Sequence, residues 1–253
     1  MAGKFNIFSL NIGMNDNLAG LVNYIRSENL DIIFLQEVRI STDQLQSKVE
    51  HLGYSAEANV NEDDPLKPGT AIVWKSSIPI LNISNLVQCR CQVAFLGRHI
   101  LLNVYAHSGS EKKQERGDLF AKDIFYFMSL HNGFSFIFGG DFNSILSPSD
   151  VENGFGFQQK FCHQLSDLVQ AKDLIDSFRY LNPAAKDYTF FRASATPSRL
   201  DRFYLSSDLL FSLHNVKHLP SLSDHCGVLL CLTLNGVDKG TRNVDKNLAH
   251  IGN

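Results

Sequence analysis

The chain has no long apolar run and little cysteine, and each shortage excludes a class of protein. No stretch of the 253 residues reaches the roughly 18 apolar residues of a membrane-spanning helix. The N-terminal segment is broken by Asn6, Ser9 and Asn11, unlike a secretory signal peptide. The five cysteines are an odd number and only Cys89 and Cys91 lie close together, which argues against a disulfide framework or a zinc site. We expect an intracellular protein with reduced thiols.

An excess of basic charge is also missing. The formal net charge is −3, so the overall balance gives no sign of nucleic-acid binding. It does not exclude a nuclease, because acidic residues gathered at a metal site lower the net charge without covering the surface beside it. Local candidates for phosphate contact are Arg90, Arg98, the Lys112–Arg116 run, Arg192, Arg199 and Arg202. For the Lys112–Arg116 run, an ordinary solvated first turn of a helix is an equal alternative.

The apolar pattern alternates between helical and extended periods. Helical spacing recurs in residues 18–25, 45–52 and 119–127. Between these helices we predict strands at residues 5–11, 31–37, 69–75, 78–89, 92–96, 99–106, 134–141, 188–192, 199–205 and 226–234. So many strands with helices outside them predict an α/β fold of two packed sheets flanked by helices. We expect residues 1–234 to form one domain and the polar residues 235–253 to be a tail or linker.

Polar side chains stand where several apolar strands end. The first predicted strand ends on Asn11, the next on Glu37, and a later one runs into Asp141 and Asn143. The Ser223-Asp224-His225 segment lies directly beside the last strand. Packed strands can bring such ends to one rim, where carboxylates, amides and one imidazole would meet. Hard cations such as Mg²⁺ prefer this oxygen-rich set of ligands.

Six short motifs follow one another in a fixed order. They are Asn11, Gln36-Glu37, Asn103-Val104-Tyr105, Gly140-Asp141-Phe142-Asn143, Ser198-Arg199-Leu200-Asp201 and Ser223-Asp224-His225. Together they resemble the endonuclease/exonuclease/phosphatase superfamily, which includes DNase I and the abasic-site endonucleases, over about residues 4 to 234. The resemblance implies a four-layer α/β sandwich, with two packed mixed β-sheets flanked by helices. It also implies a metal-dependent phosphodiester hydrolase.

Further segments resemble the apurinic-like endonuclease domain of LINE-type (non-LTR) retrotransposons. These segments are the Gly69–Lys75 strand and the Gly139-Gly140 pair, which is followed by Leu146–Asp150. The Tyr188–Phe191 segment fits abasic-site endonucleases as well. In those repair enzymes a large aromatic residue often precedes the Arg-Leu-Asp sequence, whereas this chain has Ser198 there. That departure disfavours a closed pocket for an abasic sugar.

The resemblance implies a metal-binding and water-activating group of residues. Glu37, Asn11 and Asp224 would bind Mg²⁺, or alternatively Mn²⁺, with water in the remaining positions because Mg²⁺ dehydrates reluctantly. Asp141 would orient or deprotonate the attacking water. Asn143 would hold that water or the phosphate.

The resemblance also implies a group of residues that contact the phosphate. His225 would donate to a phosphoryl oxygen, with Asp201 fixing its tautomer and raising its pKa. A role for His225 as general base remains an open alternative. Tyr105 would add a neutral hydroxyl donor to the catalytic group. The candidates for substrate binding are Thr189, Arg192 and Ser223.

The implied function is a Mg²⁺-dependent endonuclease that nicks one strand of double-stranded DNA, leaving a 3′-hydroxyl and a 5′-phosphate. In a LINE-type element that hydroxyl primes reverse transcription at the target site. A reverse transcriptase domain of the same polyprotein would then be the partner, the nucleus the place of action, and the isolated domain a monomer. The alternatives are a stand-alone abasic-site repair endonuclease and a catalytically inactive nucleic-acid-binding domain of the same fold.

Overall fold

A computed structural model describes residues 2–13, 18–64, 66–220 and 223–240. Two six-stranded sheets pack together in this part of the chain, and helices cover their outer faces. None of its helices combines the length and apolar character that crossing a membrane would require.

Helices are interspersed among the strands but not in strict alternation, because the third to seventh strands follow one another with no helix between them in the described residues. The strands are β1 (Ala2–Asn11), β2 (Ile32–Val38), β3 (Tyr54–Asn59), β4 (Gly69–Lys75), β5 (Asn82–Val87), β6 (Cys91–Leu96), β7 (His99–Tyr105), β8 (Ser135–Asp141), β9 (Leu174–Asp176), β10 (Asp201–Ser206), β11 (Leu213–Leu219) and β12 (Gly227–Asn235). The helices are α1 (Leu18–Glu28), α2 (Thr42–Val49), α3 (Lys113–Asp118), α4 (Phe125–Leu130), α5 (Phe157–Lys160), α6 (His163–Ala171) and α7 (Ser177–Leu181). A π-helical segment, Leu119–Ile124, joins α3 to α4.

Both sheets are mixed, and one parallel pair lies inside each of them. The strand orders are β11-β12-β1-β2-β4-β3 and β5-β6-β7-β8-β10-β9. β1 pairs in parallel with β2, and β7 pairs in parallel with β8. The ends of paired parallel strands coincide, so Asn11 lies opposite Gln36 in one sheet and Tyr105 lies opposite Asp141 in the other. The sheet pairing therefore places the predicted strand-end residues at one rim.

Local sequence explains the central strands and the start of α2. Every residue of β7 and β8 is buried, as expected for central parallel strands with both faces covered. Helix α2 begins with a capping box, in which the Ser41 hydroxyl accepts from the Gln44 backbone N–H and the Gln44 side chain accepts from the Ser41 N–H. Its apolar face buries Leu45 and Val49.

A polar contact fixes the two sheets relative to each other beneath the rim. Gln36 donates to the Asn103 side-chain oxygen at 2.8 Å. Asn103 in turn donates to the backbone oxygens of Leu35 at 3.1 Å and Ala71 at 2.9 Å. All the amide groups in this link are buried, and buried amides are costly unless they are paired. A shift of one sheet against the other would break these bonds.

The predicted fold class and the three predicted helices are confirmed, but parts of the strand prediction are wrong. β3, β9 and β11 were not predicted, because they are short or carry many polar residues. Residues 188–192 do not form a strand. Phe190 instead makes isolated bridges to Ser198 and to His225, which do not extend into a ladder.

The domain also continues beyond the predicted boundary at residue 234. Val237 is buried in the core between the sheets. Lys239 forms an ion pair with the buried Asp31 at 2.5 Å. The boundary was set too early because one apolar residue in a polar segment gives no periodic signal. Residues 241–253 of the predicted tail lie outside the described residues.

Gly140 is a position where the packing of the sheet requires glycine. Its φ is +134°, and a Cβ there would lie 2.0 Å from the carbonyl oxygen of Val104. We predict that Gly140→Ala lowers the free energy of unfolding by about 2–6 kcal/mol, since backbone strain and overpacking each cost roughly 1–3 kcal/mol. Urea unfolding measures this loss. Gly133→Ala is the control, because a Cβ at Gly133 meets no atom within 4 Å. Equal stability of the two variants would contradict the prediction.

Candidate active site

Asn11 lies at the centre of the rim and connects residues of both sheets. Its amide nitrogen donates to Asp141 Oδ2 at 3.0 Å and to Glu37 Oε1 at 3.2 Å. Its side-chain oxygen accepts from the Gly13 backbone N–H at 3.0 Å. Asn11 is fully buried, so these contacts hold two acidic side chains against one nitrogen. Its predicted role as a metal ligand stays a prediction.

Glu37 reaches the rim through an irregularity in β2. The strand register shifts between Gln36 and Val38, and Glu37 itself has a φ of +62°. This left-handed conformation is uncommon for a non-glycine residue and is concentrated at functional sites. The Glu37 carboxylate is partly exposed, and Arg39 Nη2 lies 3.6 Å from its Oε2. Glu37 is therefore a carboxylate that solvent and ions can reach.

Tyr105 donates its hydroxyl to Glu37 Oε1 at 3.3 Å. Burial raises the pKa of this phenol, and the negative charges of Glu37 and Asp141 raise it further. The Arg90 guanidinium lies 4.8 Å above the ring and opposes that shift only in part. Tyr105 is therefore a neutral hydrogen-bond donor, while its predicted contact with phosphate stays a prediction.

Asp141 is buried among donors at the end of β8. It accepts from the Asn143 backbone N–H at 2.9 Å and from the Asn143 side chain at 3.3 Å. Burial and the nearby Asp201 charge raise the pKa of Asp141 from 3.8 to about 6, against the lowering effects of His225, Asn143 and Asn11. The Asn143 amide also donates to the Ala106 backbone oxygen at 2.8 Å. In this structure Asn143 orients Asp141, while its predicted contact with water or phosphate stays a prediction.

His225 and Asp201 form a buried pair facing Asp141. His225 Nδ1 lies 2.8 Å from Asp201 Oδ2, and His225 Nε2 lies 3.9 Å from Asp141 Oδ2. Burial alone would lower the pKa of His225, but the charges of Asp201 and Asp141 outweigh it and raise that pKa to about 10. The imidazole is therefore positively charged at neutral pH. The ring of Phe190 packs against it, with ring centres 5.0 Å apart.

Thr189 lies behind Asp201, and its predicted contact with substrate needs correction. Its side chain is fully buried, and its hydroxyl oxygen accepts the backbone N–H groups of Leu200 and Asp201, each at 3.0 Å. A hydroxyl in this position supports the start of β10 and presents no surface to DNA. The sequence motif identified Thr189 as a residue near the site, but it did not indicate that the Thr189 side chain points toward the backbone of β10.

Arg192, Ser223 and Asp224 lie together at the edge of the rim. Arg192 Nε is 3.4 Å from Asp224 Oδ2, and both side chains are partly exposed. Ser223 donates its hydroxyl to the Asn11 backbone oxygen at 2.8 Å and accepts the His225 backbone N–H at 3.1 Å. Ser223 therefore ties the loop before β12 to the end of β1. Substrate binding by Arg192 and Ser223, and metal binding by Asp224, stay predictions.

Two arginines predicted from the sequence to contact phosphate are buried instead. Arg199 and Arg202 are each 1% exposed and surround Asp150. A buried arginine and a DNA-binding arginine look alike in sequence. An acidic residue elsewhere in the sequence that could pair with these arginines would have indicated that they are buried. Asp150 is that residue.

The oxygen atoms at the rim are suitable ligands for a hard divalent cation bound next to Glu37. Asp141, Asp201 and His225 also place their ligand atoms within 4.8 Å of one another. However, the hydrogen bond with Asp201 occupies His225 Nδ1, and the charges of Asp201 and Asp141 raise the pKa of the imidazole, which disfavours the neutral form that binds a metal. Asp201 Oδ1 is buried and lacks a hydrogen-bond partner among the described residues, so the negative charge here is incompletely compensated. The partly exposed Glu37 carboxylate is the accessible ligand.

The raised pKa values predict how stability depends on pH in the presence of a chelator. A group with a raised pKa in the folded state contributes stability that is lost as the pH passes from its unfolded to its folded pKa. The loss occurs between pH 3.8 and about 6 for Asp141, and between 6.5 and about 10 for His225. We predict that the free energy of unfolding in EDTA falls from pH 7 to 10. His225→Gln should reduce this fall, measured by urea unfolding; identical slopes for both proteins would contradict the prediction.

Solved structures with the same fold include three nucleic-acid enzymes. An AP endonuclease from Archaeoglobus fulgidus gives a TM-score of 0.78 at 16% identity, covering 90% of this chain and 99% of that chain. AP endonuclease LMAP from Leishmania major gives 0.73 at 20% identity, covering 90% and 87%. The 3′ phosphatase NExo from Neisseria, bound to a product DNA hairpin, gives 0.73 at 21% identity, covering 89% and 98%. At these identities the similarity establishes the DNase I-like fold.

Sequence comparison identifies the family. A DNA-(apurinic or apyrimidinic site) endonuclease from Dictyostelium discoideum is 24% identical over an alignment of 246 residues that covers 85% of this chain. The chain spans 66% of the length of that relative. The model of the Endonuclease/Exonuclease/phosphatase family matches residues 5–225, an interval that contains the whole rim from Asn11 to His225. The chain belongs to the Endonuclease/Exonuclease/phosphatase family.

Proposed function

We propose that this protein is a divalent-metal-dependent endonuclease that nicks one strand of double-stranded DNA. The observation that carries the proposal is the position of Asp141 between two different groups. On one side, Asn11 joins it to the partly exposed Glu37. On the other side, His225 Nε2 faces it at 3.9 Å, held by Asp201. A carboxylate between a cation-binding residue and an imidazolium is suited to hydrolysis of a phosphodiester.

Glu37 is the main candidate to hold the cation, with Asn11 and Asp224 beside it. Mg²⁺ fits this set because it is commonly bound through one or two carboxylates and several waters, and Mn²⁺ is an alternative. When bound, the cation would act as a Lewis acid on the phosphoryl oxygen and stabilise the departing oxyanion.

The protein's own side chains supply the remaining requirements of the reaction. Asp141 would orient the attacking water and accept its proton, and its two contacts from Asn143 fix the carboxylate plane for that task. His225 would donate from Nε2 to a phosphoryl oxygen, and Tyr105 would donate from its hydroxyl. Because the pKa of His225 is raised to about 10, a donor role suits it better than a role as general base.

The finer role that we propose is the nicking of intact target DNA in LINE-type retrotransposition. The nick would leave a 3′-hydroxyl and a 5′-phosphate, and the hydroxyl would prime a reverse transcriptase domain of the same polyprotein in the nucleus. Ser198 supports this choice, because it is fully buried and adds no aromatic wall around a sugar.

Abasic-site repair is a second candidate function. The Dictyostelium relative and two of the structural neighbours are named AP endonucleases. Phe190, which packs on His225, would provide one apolar wall beside a sugar without a base. Incubation with supercoiled plasmid and with a duplex carrying one abasic analogue, each with Mg²⁺ or EDTA, separates the candidates. Cleavage confined to the abasic duplex would favour repair, and inactivity on both substrates would contradict the endonuclease proposal.

We predict that Asp141→Ala and His225→Ala each reduce the plasmid nicking rate by roughly 100-fold or more, the usual scale for loss of a proton-transfer or charge-stabilising group. Glu37→Ala should lose activity that high Mg²⁺ partly restores, because it weakens metal affinity but leaves Asp141 in place. Relaxation of supercoiled plasmid measures the rates. Asp208→Ala is the control, since Asp208 pairs with the exposed Arg98 away from the rim. Wild-type rates for Asp141→Ala would refute the mechanism.

The hairpin of residues 193–197 beside Arg192 is the candidate for target recognition. A short loop can report groove width and DNA deformability without reading many base edges. We predict that exchanging residues 193–197 moves the preferred nick sites while Mg²⁺-dependent cleavage persists. Arg192→Ala should reduce the salt slope of DNA binding by roughly one unit if Arg192 contacts a phosphate.

Two readouts test the hairpin prediction separately. Nick sites are mapped by primer extension on one plasmid, and an unchanged map after the loop exchange would remove the hairpin from the recognition surface. Fluorescence anisotropy measures the salt slope. Arg98→Ala is the matched control, because Arg98 is as exposed as Arg192 and is also paired with one aspartate. Although the sequence made Arg98 a candidate for phosphate contact, it directly precedes β7, at the end of the strand opposite Tyr105 and the rim.

A further inference from the structure

A buried cluster of charged residues lies behind the rim, and the reaction described above does not use it. Its centre is Asp150, which is 1% exposed. Three sequence segments meet there, and they are far apart along the chain: residues 146–150, residues 176–179 and residues 199–202. Burying this many charges is costly unless each one is closely paired, so the arrangement needs an explanation.

The contacts of Asp150 account for the pairing. Arg179 Nη2 and Arg199 Nη2 each lie 2.8 Å from Asp150 Oδ1, and Arg202 Nη1 lies 3.8 Å from Oδ2. Asp176 Oδ2 accepts from Arg199 Nη2 at 2.6 Å. Although burial opposes the charge, Arg202 and Arg199 lower the pKa of Asp150 to about 2. Asp150 is thus ionised throughout the working pH range.

On one side the cluster reaches the catalytic residues. Arg199 and Arg202 flank Asp201 in sequence, and Asp201 lies opposite Asp141 in the pairing of β10 with β8. Arg202 Nη2 also donates to the Ser144 backbone oxygen at 2.8 Å, in the loop that follows Asp141. The same guanidinium therefore holds the end of β8 and the start of β10.

On the other side the cluster supports the recognition hairpin. The Asp150 backbone oxygen accepts from the Arg199 N–H at 2.7 Å, and the Glu152 N–H donates to the Pro197 oxygen at 3.0 Å. Lys160 then donates to the Ser198 hydroxyl at 3.0 Å. The segment from Asp150 to Lys160 is therefore attached along one side of the hairpin.

We propose that Asp150 is a positioning residue that couples the DNA-recognition hairpin to the Asp201–His225 pair. The inference rests on the proposed endonuclease function and extends it. DNA that fits the hairpin would hold Arg199 in place, and because a single residue separates Arg199 from Asp201, this would keep His225 aimed at Asp141. Asp150 then affects both where the strand is nicked and how fast.

Asp150→Asn tests the proposal, with Asp31→Asn as its matched control. Asp31 is also 1% exposed and pairs with Lys75 and Lys239, but it precedes β2, at the end opposite Glu37, roughly 20 Å away at about 3.3 Å per residue. Both variants remove one buried carboxylate charge. Each is assayed below its melting transition, with kcat, KM, the nick map and the Mg²⁺ concentration for half-maximal rate recorded.

For Asp150→Asn we expect kcat to fall by about 10- to 100-fold, the scale of a small misplacement of catalytic groups, with the nick map altered. The half-maximal Mg²⁺ concentration should change by less than about threefold, because Glu37 is untouched. Asp31→Asn should lose stability but retain the wild-type nick map and kcat. The same nick map and kcat for both variants would overturn the proposal.

Two milder variants keep the test decisive if Asp150→Asn does not fold. Arg179→Gln removes one of the partners of Asp150, and Lys160→Met releases the hairpin without touching Asp150. Both should shift the nick map, with a smaller loss of kcat. Wild-type nick maps for both variants would overturn the coupling. A wild-type protein that cleaves neither plasmid nor the abasic duplex would instead contradict the proposed function itself.

Discussion

The hydrogen bond from Asn11 to Asp141 is the contact on which the site depends, because it joins the two sheets at the rim. Asn11 ends β1 in one sheet and Asp141 ends β8 in the other, and their 3.0 Å bond is fully buried. Asn11 also donates to Glu37, so the same amide sets the distance between the partly exposed Glu37 carboxylate and the buried Asp141 carboxylate. The Gln36–Asn103 bond beneath it prevents the sheets from sliding. Every role proposed above requires this alignment.

Negative charge collected at this junction gives the site its chemistry. Burial and mutual repulsion raise the pKa of Asp141, and the same charges keep His225 protonated. A positively charged imidazole on one side and a cation at Glu37 on the other would both offset the repulsion. Asp141 is then ionised and held by Asn143, as required for a group that accepts a proton from water. The fold brings the acidic residues together, and their electrostatic cost is relieved by the groups that a phosphodiester hydrolase uses.

The sequence predicted the fold class and the meeting of strand-end residues at one rim, because both depend on local patterns. An apolar strand that ends on a polar residue is visible in the sequence, as at Asn11, Glu37 and Asp141. It could not predict burial that depends on distant partners. Thr189 points to backbone N–H groups rather than to DNA, and Arg199 is buried because Asp150 and Asp176 neutralise it. Edge strand β11 was missed because its polar residues lack the alternation that a covered strand shows.

A crystal structure with Mn²⁺ and an uncleaved DNA duplex tests the central claim most directly, because anomalous scattering locates the ion without assumption. The account predicts an ion bound to a Glu37 carboxylate oxygen, with His225 still hydrogen-bonded to Asp201 and directed at the scissile phosphate. An ion bound instead by Asp201 and the His225 ring, with no ligand from Glu37, would contradict it.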